Sequence, residues 1–184
     1  AFPRGAGTAF VATAVEFADG LVGGAAAGLH AAPLLLVDGS ASAETAAELH
    51  RLAPDQIIVL GGSAAIAPSV VDDLAATTGA TIQRLEGPDR YGTAGAVAAE
   101  MMPSDVETVY IASGTDFPDA LVAGPAVAVE NGALLLVTPT DIPQPIADAL
   151  GRLHPRRIII LGGSEAVHDS VEQALEAYVT TTPG

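Results

Sequence analysis

One unit occurs twice in this chain of 184 residues. Leu34-Leu35-Leu36-Val37 returns as Leu134-Leu135-Leu136-Val137, 100 positions later. Thr13-Ala14-Val15-Glu16-Phe17-Ala18-Asp19-Gly20-Leu21 returns at the same interval as Ser113-Gly114-Thr115-Asp116-Phe117-Pro118-Asp119-Ala120-Leu121. Arg51-Leu52 and Leu60-Gly61-Gly62-Ser63 return as Arg152-Leu153 and Leu161-Gly162-Gly163-Ser164, 101 positions later. The one-residue slip falls in the loop after the leucine run, where insertions are tolerated. Matching through strand-like and helix-like segments, with the slip confined to a loop, marks a duplication. Any fold must therefore satisfy both copies.

Each copy alternates short apolar runs with helix-like segments. Ala9–Ala14, Leu34–Val37 and Gln56–Leu60 read as strands. A continuous apolar run such as Leu34–Val37 suits a strand buried on both faces of a parallel sheet. Thr81–Leu85 alternates in character and reads as an edge strand. Gly20–Ala31, Glu44–Leu52 and a segment from Pro68 to Gly79 read as helices. Another opens at Arg90-Tyr91-Gly92-Thr93-Ala94 and stops at Pro103. The Gly20–Ala31 segment is so rich in Gly that it makes sense only packed closely against a sheet or another helix. Strands alternating with helices predict an α/β fold of duplicated Toprim-like or Rossmann-like units, each a largely parallel sheet flanked by helices.

The first unit is expected over 1–87, without an N-terminal helix equivalent to the Arg90 segment, because Phe2-Pro3 aligns with Met102-Pro103. The second is expected over 88–184, with a weak last strand. The chain thus reads as cut from a longer array, and bare apolar surface is expected to be covered by further repeats or another chain.

Composition narrows the function. The chain carries 22 acids against seven Arg and no Lys, for a net charge of −15, which excludes a basic face for nucleic acid. No Cys is present, so thiol catalysis and Cys-ligated zinc are excluded. Leu21 to Val37 has no formal charge, but Gly23, Gly24, Gly28, His30 and Pro33 break it, so no membrane span is expected.

In a parallel α/β sheet, ligands meet the carboxyl ends of the strands. The turns Gly61-Gly62-Ser63 and Gly162-Gly163-Ser164 fall there. They could hold an anion with backbone N–H groups, or be tight turns that need Gly. Asp19 and Asp119 stand where helix N-caps belong, with sugar or cation binding as the alternative role. Arg90 and Tyr91 open a helix. Arg90 could contact a phosphate or carboxylate, or pair with Asp89 or Glu86. In the second copy Ser113, Thr115 and Asp116 are the polar candidates for ligand contact. No serine has a repeated His–Asp partner, so a hydrolase triad finds no support. The histidines His30, His50, His154 and His168 show no metal-ligand spacing. Without Lys there is no phosphate-binding G-x-x-x-x-G-K-[ST] loop. No cofactor is expected.

Arg90-Tyr91-Gly92-Thr93-Ala94, Ser113-Gly114 with Phe117-Pro118-Asp119-Ala120-Leu121, Leu134–Val137, and Ile158-Ile159-Ile160-Leu161-Gly162-Gly163-Ser164 together resemble the cell wall-binding repeat 2 (CWB2) family, as two adjacent repeats. The first copy departs from the pattern, with Ala18 for the proline and Gly20 for the alanine. The resemblance implies a Toprim-like fold whose repeats group in threes around a pseudo-threefold. It also implies a non-catalytic, secreted, surface-layer-associated module that holds its protein on an anionic cell-wall polymer or glycan. A charge of −15 opposes such a polymer, so binding would need local Arg, helix N-termini or bridging cations. The alternatives are an oligomerisation or interaction domain of a surface-layer protein and, more weakly, a phosphate- or nucleotide-binding enzyme fragment.

Overall fold

The structure, a computed structural model, describes residues 2–115 and 118–180, and within these not the side chains of 118–120, 122, 123 and 125. The first unit runs β1 (Thr8–Thr13), α1 (Phe17–Leu29), β2 (Leu34–Val37), α2 (Ala43–Leu52), β3 (Gln56–Leu60), α3 (Pro68–Thr78) and β4 (Thr81–Leu85). Helix α4 (Arg90–Met101) leads into β5 (Thr108–Ser113), α5 (Pro118–Val129), β6 (Ala133–Val137), α6 (Gln144–Leu153), β7 (Arg157–Ile160) and α7 (Asp169–Leu175). A 3-10 turn, Glu176–Tyr178, stands where the second unit would place a fourth strand.

The strands form two parallel sheets, ordered β2-β1-β3-β4 and β6-β5-β7. The duplication persists at the level of register. Phe10 pairs with Leu34 and Ile58, and Tyr110 pairs with Leu134 and Ile159. Helices α2 and α3 cover one face of the first sheet, with Leu49, Val70 and Leu74 packed on Val11, Ile57 and Val59. The opposite face, through Phe10, Ala12, Ile58 and Leu60, shares a core with α1, α4 and the whole second sheet. The two units are therefore joined by continuous apolar packing.

Helix α1 shows why its sequence is so rich in small residues. A Cβ at Gly28 would come within 2.5 Å of the Ala128 Cβ on α5, so the two duplicate helices cross nearly in backbone contact. Bulk at this crossing would force the units apart.

Two expectations need correction. First, α1 begins at Phe17, with Glu16 in the cap position making no side-chain cap bond, so Asp19 lies inside the first turn. Asp119 likewise falls within α5, whose first residue is Pro118. Second, the apolar run of β2 is not buried on both faces. It is an edge strand, and Leu36 is 51% exposed. Its duplicate β6 is also an edge strand, yet all of it is buried because α4 lies across it. Thr81–Leu85 is an edge strand, as its alternation predicts.

A candidate cleft at the strand ends

Asp89 caps α4, its carboxylate accepting from the Gly92 N–H at 2.8 Å. This sets Arg90 and Tyr91 on the first turn, over the carboxyl end of β5. Arg90 does not pair with Asp89 or Glu86. Its guanidinium donates to the Gly114 carbonyl at 2.5 Å and to the Glu16 carboxylate at 3.2 Å. Its Cζ also lies 5.5 Å from the centre of the half-buried Phe17 ring. Tyr91 lies on the same glycine: a Cβ at Gly114 would fall 2.6 Å from Tyr91 Cε1. The Arg-Tyr pair thus clamps the loop after β5, while Arg90 also holds the loop after β1.

Beside this clamp lies a cleft of about 270 Å³, bounded by Glu16, Asp19, Gly62, Ala64, Asp89, Arg90 and Thr93. Asp19 is buried, 8% exposed, at its floor. Burial raises its pKa most, and the neighbouring Glu16 raises it further; the Arg90 charge and a hydrogen bond with Thr93 oppose both. The carboxylate lies over the turn at the end of β3, where a Cβ on Gly61 would come within 2.3 Å of Asp19 Oδ2. Gly61 has φ +95°, so the turn needs glycine for its backbone as well as for this approach. An internal carboxylate thus occupies the space above the Gly61 turn where an external anion would have to sit.

With Glu16, Asp19 and Asp89 against one Arg, the cleft is acidic. Its chemistry suits hydroxyl groups or cations better than phosphate. Among the arginines, Arg51 meets Glu48, Arg84 meets Gly61 and Ile66 carbonyls, Arg152 meets Ala98 and Met102 carbonyls, Arg156 meets Glu107 and Arg157 meets Glu130. With Arg90, only Arg4 of the seven is left outside such pairings among the described residues.

The sequence profile of the family described as Cell wall binding domain 2 (CWB2) matches residues 3–71 and 84–172. The chain belongs to the CWB2 family. It is 27% identical over 136 residues to an amidase enhancer of Bacillus subtilis (strain 168), covering 74% of this chain and 18% of that protein. It is 27% identical over 97 residues to N-acetylmuramoyl-L-alanine amidase LytC of the same organism, covering 53% of this chain and 19% of LytC. The CWB2 chain therefore spans about a fifth of these relatives. Its fold superposes on Cwp6 from Clostridium difficile with a TM-score of 0.87 at 23% identity, over 97% of this chain and 28% of Cwp6.

The second CWB2 unit arranges its candidates differently. Ser113 Oγ and Thr115 Oγ1 lie 2.8 Å apart, and Ser113 Oγ accepts from the Thr115 N–H at 3.2 Å. Ser113 is buried and Thr115 exposed, and the pair closes the turn locally. Asp116 lies outside the described residues, as does the side chain of Asp119. Gly162, Gly163 and Ser164 are exposed at the end of β7, while Gly61 is buried and donates its N–H to the Leu85 carbonyl of β4. Ser63 is exposed and Gly62 lines the first cleft.

Sequence reasoning missed Glu16 and Thr93 as members of the cleft. Thr93 sits three residues after Arg90 on one helix, so helical spacing alone could have placed them on one face. Glu16 has no local signal, being 74 positions from Arg90. Among the described residues no cluster of acids and histidines is arranged to hold a metal ion, and no helix is long and apolar enough to cross a membrane.

Proposed function

We propose that the two CWB2 units, taken as 1–87 and 88–184, form a non-catalytic module that anchors a secreted or surface-layer protein to an anionic cell-wall polymer or glycan. The match of a cell-wall-binding family to both units, residues 3–71 and 84–172, carries this reading. The name of one relative, an N-acetylmuramoyl-L-alanine amidase, fits a module borne by proteins of the wall. The net charge of −15 and the internal pairing of the arginines weigh against direct Coulomb attraction. Sugar hydroxyls meeting the polar residues of the cleft, with divalent cations bridging acids on both partners, fit the charges better. Retention of the 184-residue chain on purified cell walls tests the proposal. Retention that rises in millimolar Ca²⁺ and falls in chelator is expected; no retention at any salt or Ca²⁺ concentration would refute it.

A second reading, an interaction domain of a surface-layer assembly, is favoured by two exposed leucines, Leu36 at 51% and Leu121 at 59%. Light scattering separates the two: a stable oligomer indifferent to wall polymer favours assembly. A phosphate- or nucleotide-binding enzyme fragment has less support, since Asp19 already occupies the turn that suggested it.

A further inference from the structure

The two units differ at one edge in a way that defines a docking surface. In the second unit α4 lies over the edge strand β6, and Leu134 and Leu136 are 1% and 0% exposed. In the first unit no helix of the described residues lies over β2. Leu36 stands 51% exposed in a groove of about 310 Å³ lined with Phe17, Gly20, Leu21, Leu34 and Leu121. A bare apolar edge strand is the kind of surface that proteins normally cover.

A second, independent feature shows what fits there. Arg152 of α6 holds the C-terminal end of α4 by donating to the Ala98 carbonyl and, at 3.3 Å, to the Met102 carbonyl. Its duplicate Arg51 donates at 3.0 Å to the carbonyl of Phe2, the duplicate of Met102. The anchor for the end of a helix is thus already set beside the uncovered strand. The facing helix has changed in character, however. Where Pro145 of α6 meets Gly95 of α4, α2 presents the exposed carboxylate Glu44.

We propose that the β2 edge docks an α4-type helix from a further unit of the same repeat. Such a helix presents small residues to Leu34 and Leu36, ends at Arg51, and carries a basic side chain where α4 has Gly95, opposite Glu44. This surface continues the α1–α5 interface that joins the present units, and it does not depend on polymer binding.

The test adds a helical probe to the 184-residue chain. The probe is a hydrocarbon-stapled peptide of residues 88–103 carrying Gly95→Lys, with its helicity verified by circular dichroism and its affinity measured by fluorescence anisotropy. One-to-one binding is expected, weakened at least tenfold by Leu36→Asp and by Glu44→Lys in the chain and unchanged by Asp73→Lys on α3. Because Leu36 is half exposed, its Asp variant should keep the wild-type circular dichroism spectrum. Three results would overturn the proposal: a helical probe that does not bind, binding indifferent to Leu36→Asp, or self-association of the chain through Leu36 that the probe fails to displace.

Discussion

Arg90 and Gly114 meet through a 2.5 Å hydrogen bond from guanidinium to carbonyl, and the same guanidinium reaches Glu16 in the other unit at 3.2 Å. The residue that opens α4 therefore ties together the two loops that follow β1 and β5. A hydrogen bond from a charged donor contributes about 1.5–3 kcal/mol. The Glu16 pair adds little, since that side chain is 58% exposed.

Arg90→Ala is expected to destabilise the chain by roughly 1–3 kcal/mol, measured by urea unfolding. Arg90→Lys should recover less than half of that loss, because a point ammonium cannot span both partners and stack on Phe17. Glu16→Gln should cost no more than ~0.5 kcal/mol. An Arg90→Ala variant as stable as the parent would show that the clamp does not hold the units together.

Gly114→Ala pushes a methyl into the Tyr91 ring and should cost about 1–3 kcal/mol. In the background of Tyr91→Ala the same change should cost much less. A double-mutant cycle reads the difference, and additive costs would mean that the contact is not the source of the strain.

Leu136→Ala and Leu36→Ala remove the same atoms from duplicate positions. The first leaves a cavity under α4 and should cost ~2–5 kcal/mol. The second acts on an exposed side chain and should cost less than ~1 kcal/mol. Equal losses in thermal unfolding of the two variants would contradict the asymmetry of the two edges.

Asp19 gives the chain a pH dependence with a defined sign. Its folded-state pKa lies above the ordinary 3.8, so the folded protein holds the proton more tightly than the unfolded chain. The associated stability is complete below the ordinary value and is lost as pH rises through the raised one. Asp19→Asn stays neutral throughout. It should match the parent near pH 3.5 and exceed it in melting temperature at pH 7, in a pH series begun below the ordinary 3.8. A difference that stays constant across the series would remove burial of the charge as its cause.

Much of the fold was legible because it is written in short-range patterns. The leucine runs, the Gly-Gly-Ser turns and the proline stops mark strand and helix limits within a few residues of sequence, and the 100-residue interval shows them to be one unit repeated. The helix opening at Arg90 is read from Asp89 and its position before an apolar segment, and the structure starts α4 there. The cleft was only half legible. Asp19, Arg90 and Gly61-Gly62 were singled out, but their partners were not, since Glu16 and Gly114 come from segments 74 and 24 positions away from Arg90.

The sequence by itself determined that this chain is a duplicated α/β protein with parallel strands, small-residue helices and an acidic, Lys-free surface. Backbone preference and hydrophobic spacing act over a few residues and operate alike in both copies. Only the tertiary structure decided that Asp19 lies over the Gly61 turn instead of capping α1, that Arg90 bridges the units, and that one of two identical leucine strands is covered while the other is bare. Those outcomes depend on which distant surfaces close over a given residue, and two copies of the same local sequence meet different neighbours once the chain has folded.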